Sequence, residues 1–223
     1  MRITSITPQE RNPSRRNIFV DGQFALGVGP ETLLRFGLRT GDELTPALLQ
    51  QLEQAEELVS AHAAAMRFLG VRPRTEKEIR DKLREKEYGD EEIQRTIASL
   101  KAARLLDDAE FARAYVSDQL AKKPAGALLL RRKLLLLGVS KDIIEETLKG
   151  FLGPEADEQR ALSLARDFVR KSRALRPNEV EVKLRQRTST FLGRRGFTWD
   201  VIRAVSKTLF SHTEDDTDGQ SPE

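Results

Sequence analysis

Cysteine is missing from all 223 residues. That excludes disulfides, thiolate zinc sites and thiol nucleophiles, and it suits a reducing compartment. Histidine is almost missing too, with His62 and His212 the only two. His62 falls on an expected helix with no acid at ligand spacing, and His212 lies in a polar C-terminal stretch. Neither a metal centre nor histidine-based catalysis is expected from them. There is no glycine-rich phosphate loop: Gly27-Val28-Gly29 lacks a third glycine and a following lysine, and reads as the end of a strand. Long apolar runs are also lacking. The longest, 127–130 and 134–137, are separated by Arg131-Arg132-Lys133, and neither can span a bilayer. The opening twelve residues contain no apolar core of a secretion signal, so no signal peptide and a cytoplasmic location are expected. Nothing in the sequence implies a cofactor.

What the chain has in quantity is charge. Charged residues make up 33% of it and apolar ones only 39%, which suits small helical units with large wet surfaces. The net charge of +3 is unevenly placed. Residues 1–60 hold 6 basic and 8 acidic side chains, residues 61–210 hold 32 and 22, and residues 211–223 hold 5 acidic and no basic ones. A basic helical region points to nucleic acid or an acidic partner surface, without choosing between them.

The stretch 75–108 reads as two short helices joined by a tight corner. Thr75 with Glu78 has capping-box spacing. Ile79 and Leu83 give the first helix one apolar stripe. Tyr88 precedes a second helix opening at Gly89-Asp90, and Ile93 lies one turn inside, the spacing of a hydrophobic staple. The corner recurs at Val139-Ser140 with Ile144 and at Phe197-Thr198 with Ile202. A leucine stands five residues before each staple residue (Leu83, Leu134, Leu192), and Leu100, Phe151 and Leu209 stand seven after each stapled isoleucine. Four positions in register across three copies predict internal repeats.

Residues 2–28 read as β. Ile18-Phe19-Val20 and Phe24-Ala25-Leu26 flank Asp21-Gly22, a strong hairpin signal, and Ile3 and Ile6 are candidates for a third strand. Pro30 opens a short helix through Phe36, ended by Gly37. Thr45-Pro46 starts a long helix that reaches Leu58 and is expected to lead towards 61–69. The second copy opens at Asp107-Asp108 with Phe111, Tyr115 and Val116 as its stripe. The third opens near Ala156, with Leu164, Phe168 and Val169 inward. From Ser211 the polar, acidic composition predicts disorder. Units of about 50 residues bury too little alone, so stacked neighbours sharing apolar faces are expected.

Arg72-Pro73-Arg74-Thr75-Glu76, Lys82-Leu83, Leu105-Leu106-Asp107-Asp108, Phe111-Ala112 and Tyr115-Val116 resemble the RecX family, regulators of the bacterial RecA recombinase. Lys133-Leu134 and Gly138-Val139 resemble that family's second repeat. The resemblance runs in family order over about residues 61–210. The third copy departs from it: Phe191-Leu192 replaces Lys-Leu, and Thr188-Ser189 stands where Ile79-Arg80 and Leu130-Arg131 stand earlier. The expected fold is mainly α: tandem three-helix repeats in an elongated arc, preceded by a small β-hairpin-containing region. The expected divisions are 1–60, 61–106, 107–152 and 153–210, with an acidic tail at 211–223. The resemblance implies a non-enzymatic modulator, usually an inhibitor, bound in the groove of the RecA–DNA filament and affecting ATP hydrolysis and strand exchange. It implies roles in DNA repair, homologous recombination and the SOS response. The implied partners are the RecA filament and, weakly, single-stranded or duplex DNA, with no membrane and a monomeric protein.

The basic clusters are the candidate contacts: Arg80, Lys82, Arg84 and Lys86 on one middle helix; Lys122, Lys123, Arg131, Arg132 and Lys133 at the next; Arg194 and Arg195 at the third. Charged helix surfaces are commonplace, and Glu85 and Glu87 partly offset the first cluster. Asp107-Asp108 is explained by helix capping more simply than by a bound cation. Trp199 has the chemistry to stack on a base, but packing against a neighbouring helix is the expectation. A rival function is a helix-turn-helix-like regulator acting on duplex DNA. The acidic starts of its would-be recognition helices, Asp90-Glu91-Glu92, Lys141-Asp142 and Trp199-Asp200, suit the helix dipole but repel phosphate.

Overall fold

The computed structural model describes residues 1–122 and 124–210. Lys123 and the expected acidic tail lie outside them. The described residues form two compact units, the first containing residues 1–74 and 78–106, the second residues 75–77, 107–122 and 124–210.

In the first unit, β1 (Ile3–Pro8), β2 (Arg16–Val20) and β3 (Gln23–Val28) make an antiparallel sheet in that order. Val20 pairs with Gln23, leaving Asp21 and Gly22 as a two-residue loop, both with positive φ, as a primed hairpin turn requires. Alternation buries Ile18, Val20, Leu26 and Val28 on one face. Against them pack Leu38, Leu44 and Leu52. Helix α1 (Pro30–Phe36) ends at Gly37 in the left-handed region, as expected from the sequence. Helix α2 (Pro46–Leu69) opens with the Thr45 hydroxyl accepting the Leu48 N–H. It runs without a break for 24 residues, so Leu52 serves the sheet core while Ala61, Ala64 and Ala65 serve the next one.

One buried carboxylate ties the sheet region to α2. Glu56 meets Arg15 at 2.6 Å through one oxygen. Its other oxygen accepts the Gly29 N–H at 2.9 Å and the Thr32 hydroxyl at 2.8 Å. Gly29 is the N-cap of α1, so the anion also sits at the positive end of that helix. A charge removed from water this far needs all of these partners.

The first helical set is the end of α2 with α3 (Glu76–Glu85) and α4 (Asp90–Ala102) around Ile79, Leu83, Ile93, Ile97 and Leu100. The second is α5 (Asp108–Lys122), α6 (Ala127–Leu136) and α7 (Lys141–Phe151) around Phe111, Val116, Leu130, Leu134 and Ile144. The third is α8 (Pro154–Leu175), α9 (Glu181–Arg194) and α10 (Trp199–Phe210) around Leu192, Phe197, Ile202 and Val205. On α8 the fully buried positions are Ala161 and Ala165. Leu164, Phe168 and Val169, expected to point inward, are only half-buried, because the helix approaches its neighbours along its small residues. Phe168 instead stacks on Phe191 at 4.5 Å.

The three corners share one construction. The residue before each staple has positive φ: Glu87 at 63°, Gly138 at 88° and Gly196 at 83°. The staple N–H then reaches back to the repeated leucine: Tyr88 to the Leu83 carbonyl at 3.2 Å, Val139 to Leu134 at 3.1 Å and Phe197 to Leu192 at 3.3 Å. This is the longer bond of a Schellman C-cap, with its customary apolar contact. The five-residue spacing in the sequence is therefore a hydrogen-bond spacing as well as a packing one. The next helix begins at once, with Ile93, Ile144 and Ile202 donating to the carbonyls of Gly89, Ser140 and Thr198, each at 3.0 Å.

Within the second unit the corners also join helices end to end. Gly126 N–H donates to the Arg195 carbonyl at 2.9 Å, and Leu128 N–H to that of Gly196 at 3.0 Å. The carbonyl end of α9 thus meets the amide end of α6, satisfying orphan groups of both and aligning their dipoles. The carbonyl end of α6 is met in the same way by residues 75–77: the Thr75 hydroxyl donates to Leu137 at 2.6 Å and the Lys77 ammonium to Leu136 at 3.4 Å.

Leu134 is fully buried, so Leu134→Asp should abolish the cooperative unfolding of the second helical set, since an unpaired charge enters its core. Gly126→Ala tests the junction: its methyl would collide with the Gly196 carbonyl. A loss of about 1–3 kcal/mol in denaturant melts is expected; an unchanged midpoint would contradict the close approach.

Candidate partner-binding surface

The basic residues singled out above meet different fates. On α3, Lys82 pairs with Glu85 at 2.8 Å and Arg84 with Asp90 at 3.0 Å. The bond from Lys82, and its charge, hold the Glu85 carboxyl below its usual range. Arg80 is half-buried and Lys86 exposed, the latter beside Glu53, Glu56 and Glu57. The first cluster is therefore close to internally neutralised.

In the second helical set, Lys122 pairs with Asp118 at 2.7 Å and Lys133 bonds the Gln119 amide oxygen at 2.9 Å. Arg131 grips Glu145 with two nitrogens, at 2.6 and 2.8 Å. Arg132 is exposed between them. Lys123 lies outside the described residues. At the third corner Arg194 is exposed, and Arg195 lies over the Phe191 ring at 5.3 Å. The backbone bond from Gly126 to Arg195 brings this corner to the start of α6, four residues beyond Lys122. The structure thus gathers the second and third clusters along the joined helices α6 and α9.

Two features escaped the sequence reading. On α6, Leu128, Leu135 and Leu136 are exposed and flank Arg132 at helical spacing. The signal was present: the leucine runs on either side of the basic triplet are wider than one helical face can bury. The other is Trp199, which is 64% exposed rather than packed against a neighbour. It occupies the first position of α10, whose buried residues include Ile202 and Val205.

The Asp107-Asp108 pair caps helices, as expected. One oxygen of Asp107 accepts the N–H groups of Ala109 and Glu110, at 2.8 and 2.9 Å. Asp108 reaches instead to the N–H of Glu76, at 2.9 Å. Among the described residues no group of three or more His, Asp or Glu side chains is placed to hold a metal ion. No described helix is long and apolar enough to cross a membrane. The surface offers cations and apolar side chains for non-covalent recognition.

Comparison with known proteins places these features in one family. Residues 1–45 match the regulatory protein RecX N-terminal domain, and residues 61–100, 107–148 and 157–205 match the first, second and third RecX three-helix domains. A protein of Bacillus velezensis described as regulatory protein RecX is 35% identical over 97% of this chain and 80% of its own length. One from Clostridium botulinum with the same description is 33% identical over 92% and 95%. A solved structure described as the crystal structure of regulatory protein RecX superposes with a TM-score of 0.74 at 27% identity, over 92% of this chain and 98% of the other.

Glu145 is held below the usual carboxylate range, chiefly by the Arg131 hydrogen bond. A depressed carboxyl stabilises the fold above its unfolded pKa and loses that contribution as pH falls through the folded value. Both partners are well exposed, so the pair is worth less than about 1 kcal/mol. Glu145→Gln should destabilise by that small amount at neutral pH and low salt, and by less as falling pH protonates the wild-type acid through its lowered folded value. Denaturant melts in a descending pH series check this; a loss that does not shrink as the wild-type acid is protonated would rule it out.

Proposed function

The chain belongs to the RecX family, and from that premise we propose that it regulates the RecA recombinase by binding, with no chemistry of its own. Its helical sets would lie along the groove of the RecA–DNA filament. Their cations would face acidic protein surface or the bound strand, and the consequence would be altered ATP hydrolysis and strand exchange, usually inhibition. The action would take place in the cytoplasm, within DNA repair and homologous recombination, and one copy of the chain suffices for it. The observation that carries this reading is the family's N-terminal domain and three helical domains, matched in order from residue 1 to residue 205.

The geometry suits a binder. The α6–α9 line presents Arg132 between exposed leucines and Arg194 at the corner, a mixed apolar and cationic strip of the kind in which few residues dominate binding energy. The rival reading, direct recognition of duplex DNA through the corners, is disfavoured by local charge. The first turn of α4 carries Asp90, Glu91 and Glu92, and those of α7 and α10 carry Asp142 and Asp200, where a groove-reading helix would meet phosphates.

The test is the ATPase of RecA on single-stranded DNA with stoichiometric amounts of this protein. A changed rate with filament co-sedimentation supports the reading; an unchanged rate without co-sedimentation sinks it. Arg132→Glu is the informative variant, because Arg131 and Lys133 have intramolecular partners and Arg132 stands exposed among leucines. It should weaken filament binding by about tenfold, on the scale of about 1.4 kcal/mol for one interface cation, and leave the melting temperature unchanged.

A further inference from the structure

One face of α2 is polar where the helix passes between the sheet and the first corner. Glu53, Glu56, Glu57 and Ser60 recur there at i, i+3, i+4 and i+7. They line one wall of a cleft of about 480 Å³. Arg15 completes it on the sheet side, and Lys86, Glu87 and Tyr88 on the corner side. That volume is within the range of ligand sites. Four carboxylates face two cations, so the lining is acidic.

The groups of the cleft are unequally satisfied. Ser60 and Tyr88 bond each other through their hydroxyls at 2.8 Å, and Glu57 accepts the Gly89 N–H at 3.2 Å. The Glu56 side chain is only 10% exposed, yet no N–H or O–H is directed at its Oε1. Arg15 offsets the charge of that oxygen from 2.6 Å without aligning a hydrogen on it, and its Nη2 donates to the Gly27 carbonyl instead. Glu53 and Glu87 are exposed and have no bonded partner among the described residues. A buried acceptor without a donor, inside an acidic cleft, calls for a ligand that brings positive charge and several N–H groups together.

We propose that this cleft binds a guanidinium group, the arginine side chain of a protein partner. Its planar fork carries five donors, enough to reach Glu56 Oε1 and the outer carboxylates at once, and its flat face suits the Tyr88 ring. An ammonium is disfavoured because it is more strongly hydrated and so loses more on entering. A metal ion is disfavoured because no group of three or more acids among the described residues is placed to hold one. The site belongs to the N-terminal region and the first corner, away from the α6–α9 strip, so the inference goes beyond the regulatory reading and does not rest on it.

The full chain, labelled with nitrogen-15, is titrated at low salt with N-acetyl-arginine amide into the millimolar range. The reporters are the Gly29 and Gly89 amides, which bond Glu56 and Glu57. Saturable shifts of both are expected, weaker binding of the lysine amide, and no saturable shift from the neutral citrulline amide. Glu53→Gln with Glu87→Gln should weaken binding by about 2- to 30-fold and leave the melting temperature unchanged, since both acids are exposed and unbonded. Lys86→Ala should tighten it by about 2- to 5-fold by removing a like charge. No saturable shift, equal shifts from the citrulline amide, equal affinity for the lysine amide or unchanged affinity in the double variant would each overturn the inference. So would effects of reversed sign, which mark an anion site, or saturation by spermidine and not by the arginine amide, which marks a polyamine site. RecA is absent from these titrations, so their failure leaves the regulatory reading standing and their success does not support it.

Discussion

The structure depends on a backbone constraint of a single residue, used three times. Each middle helix must stop on a residue in the left-handed region, so that the next N–H reaches the carbonyl of the core leucine five residues back. That bond turns the chain, points the staple side chain at the leucine it has just capped, and starts the third helix within two residues. If the residue stayed right-handed, α3, α6 and α9 would continue, and Tyr88, Val139 and Phe197 would leave their cores.

The same residue also decides what can pack against the corner. Gly138 and Gly196 are tight: a methyl on either would run into Lys77 or into the backbone of Leu129. In the first copy the position is Glu87, at φ 63° and exposed. Left-handed backbone costs a non-glycine residue about 1–2 kcal/mol, which a local hydrogen bond can offset. A backbone collision is far harder to offset. Glycine is thus needed at the corners that receive another helix end and dispensable at the one that does not. The head-to-tail meeting of α9 with α6 follows from it, since only a bare Cα lets the carbonyls of Arg195 and Gly196 come within reach of residues 126–128.

Charge is handled copy by copy. In the first two, the middle helix supplies an arginine and the third helix an acid, and the pair closes within the helical set: Arg84 with Asp90, Arg131 with Glu145. In the third, Arg187 instead pairs with Glu179 in the preceding loop, and the outer face of α10 is left cationic. Positive charge that is mostly spent inside the first two copies is therefore displayed by the third. The excess of basic residues in 153–210 translates into accessible charge, whereas the run of basic residues on α3 largely does not.

The corners, the hairpin turn at Asp21-Gly22, the limits of α1 and the Thr45 cap of α2 were legible from residues alone. Each is set by a φ requirement or a hydrogen bond spanning five residues or fewer, and such bonds leave their mark on neighbouring letters. Part of the resemblance carried by 105–116 was legible for the same reason, since Asp107 caps α5. Four things were decided only by tertiary structure. They are the partner of Asp108, the small-residue line of α8, the cations that are neutralised and the exposure of Trp199. Asp108 bonds Glu76 across 32 positions and Arg131 bonds Glu145 across 14. No local pattern encodes which side chain arrives from that distance. Trp199 reads as an apolar residue at a helix start, yet it stands 64% exposed while Ile202 and Val205 take the buried positions of α10.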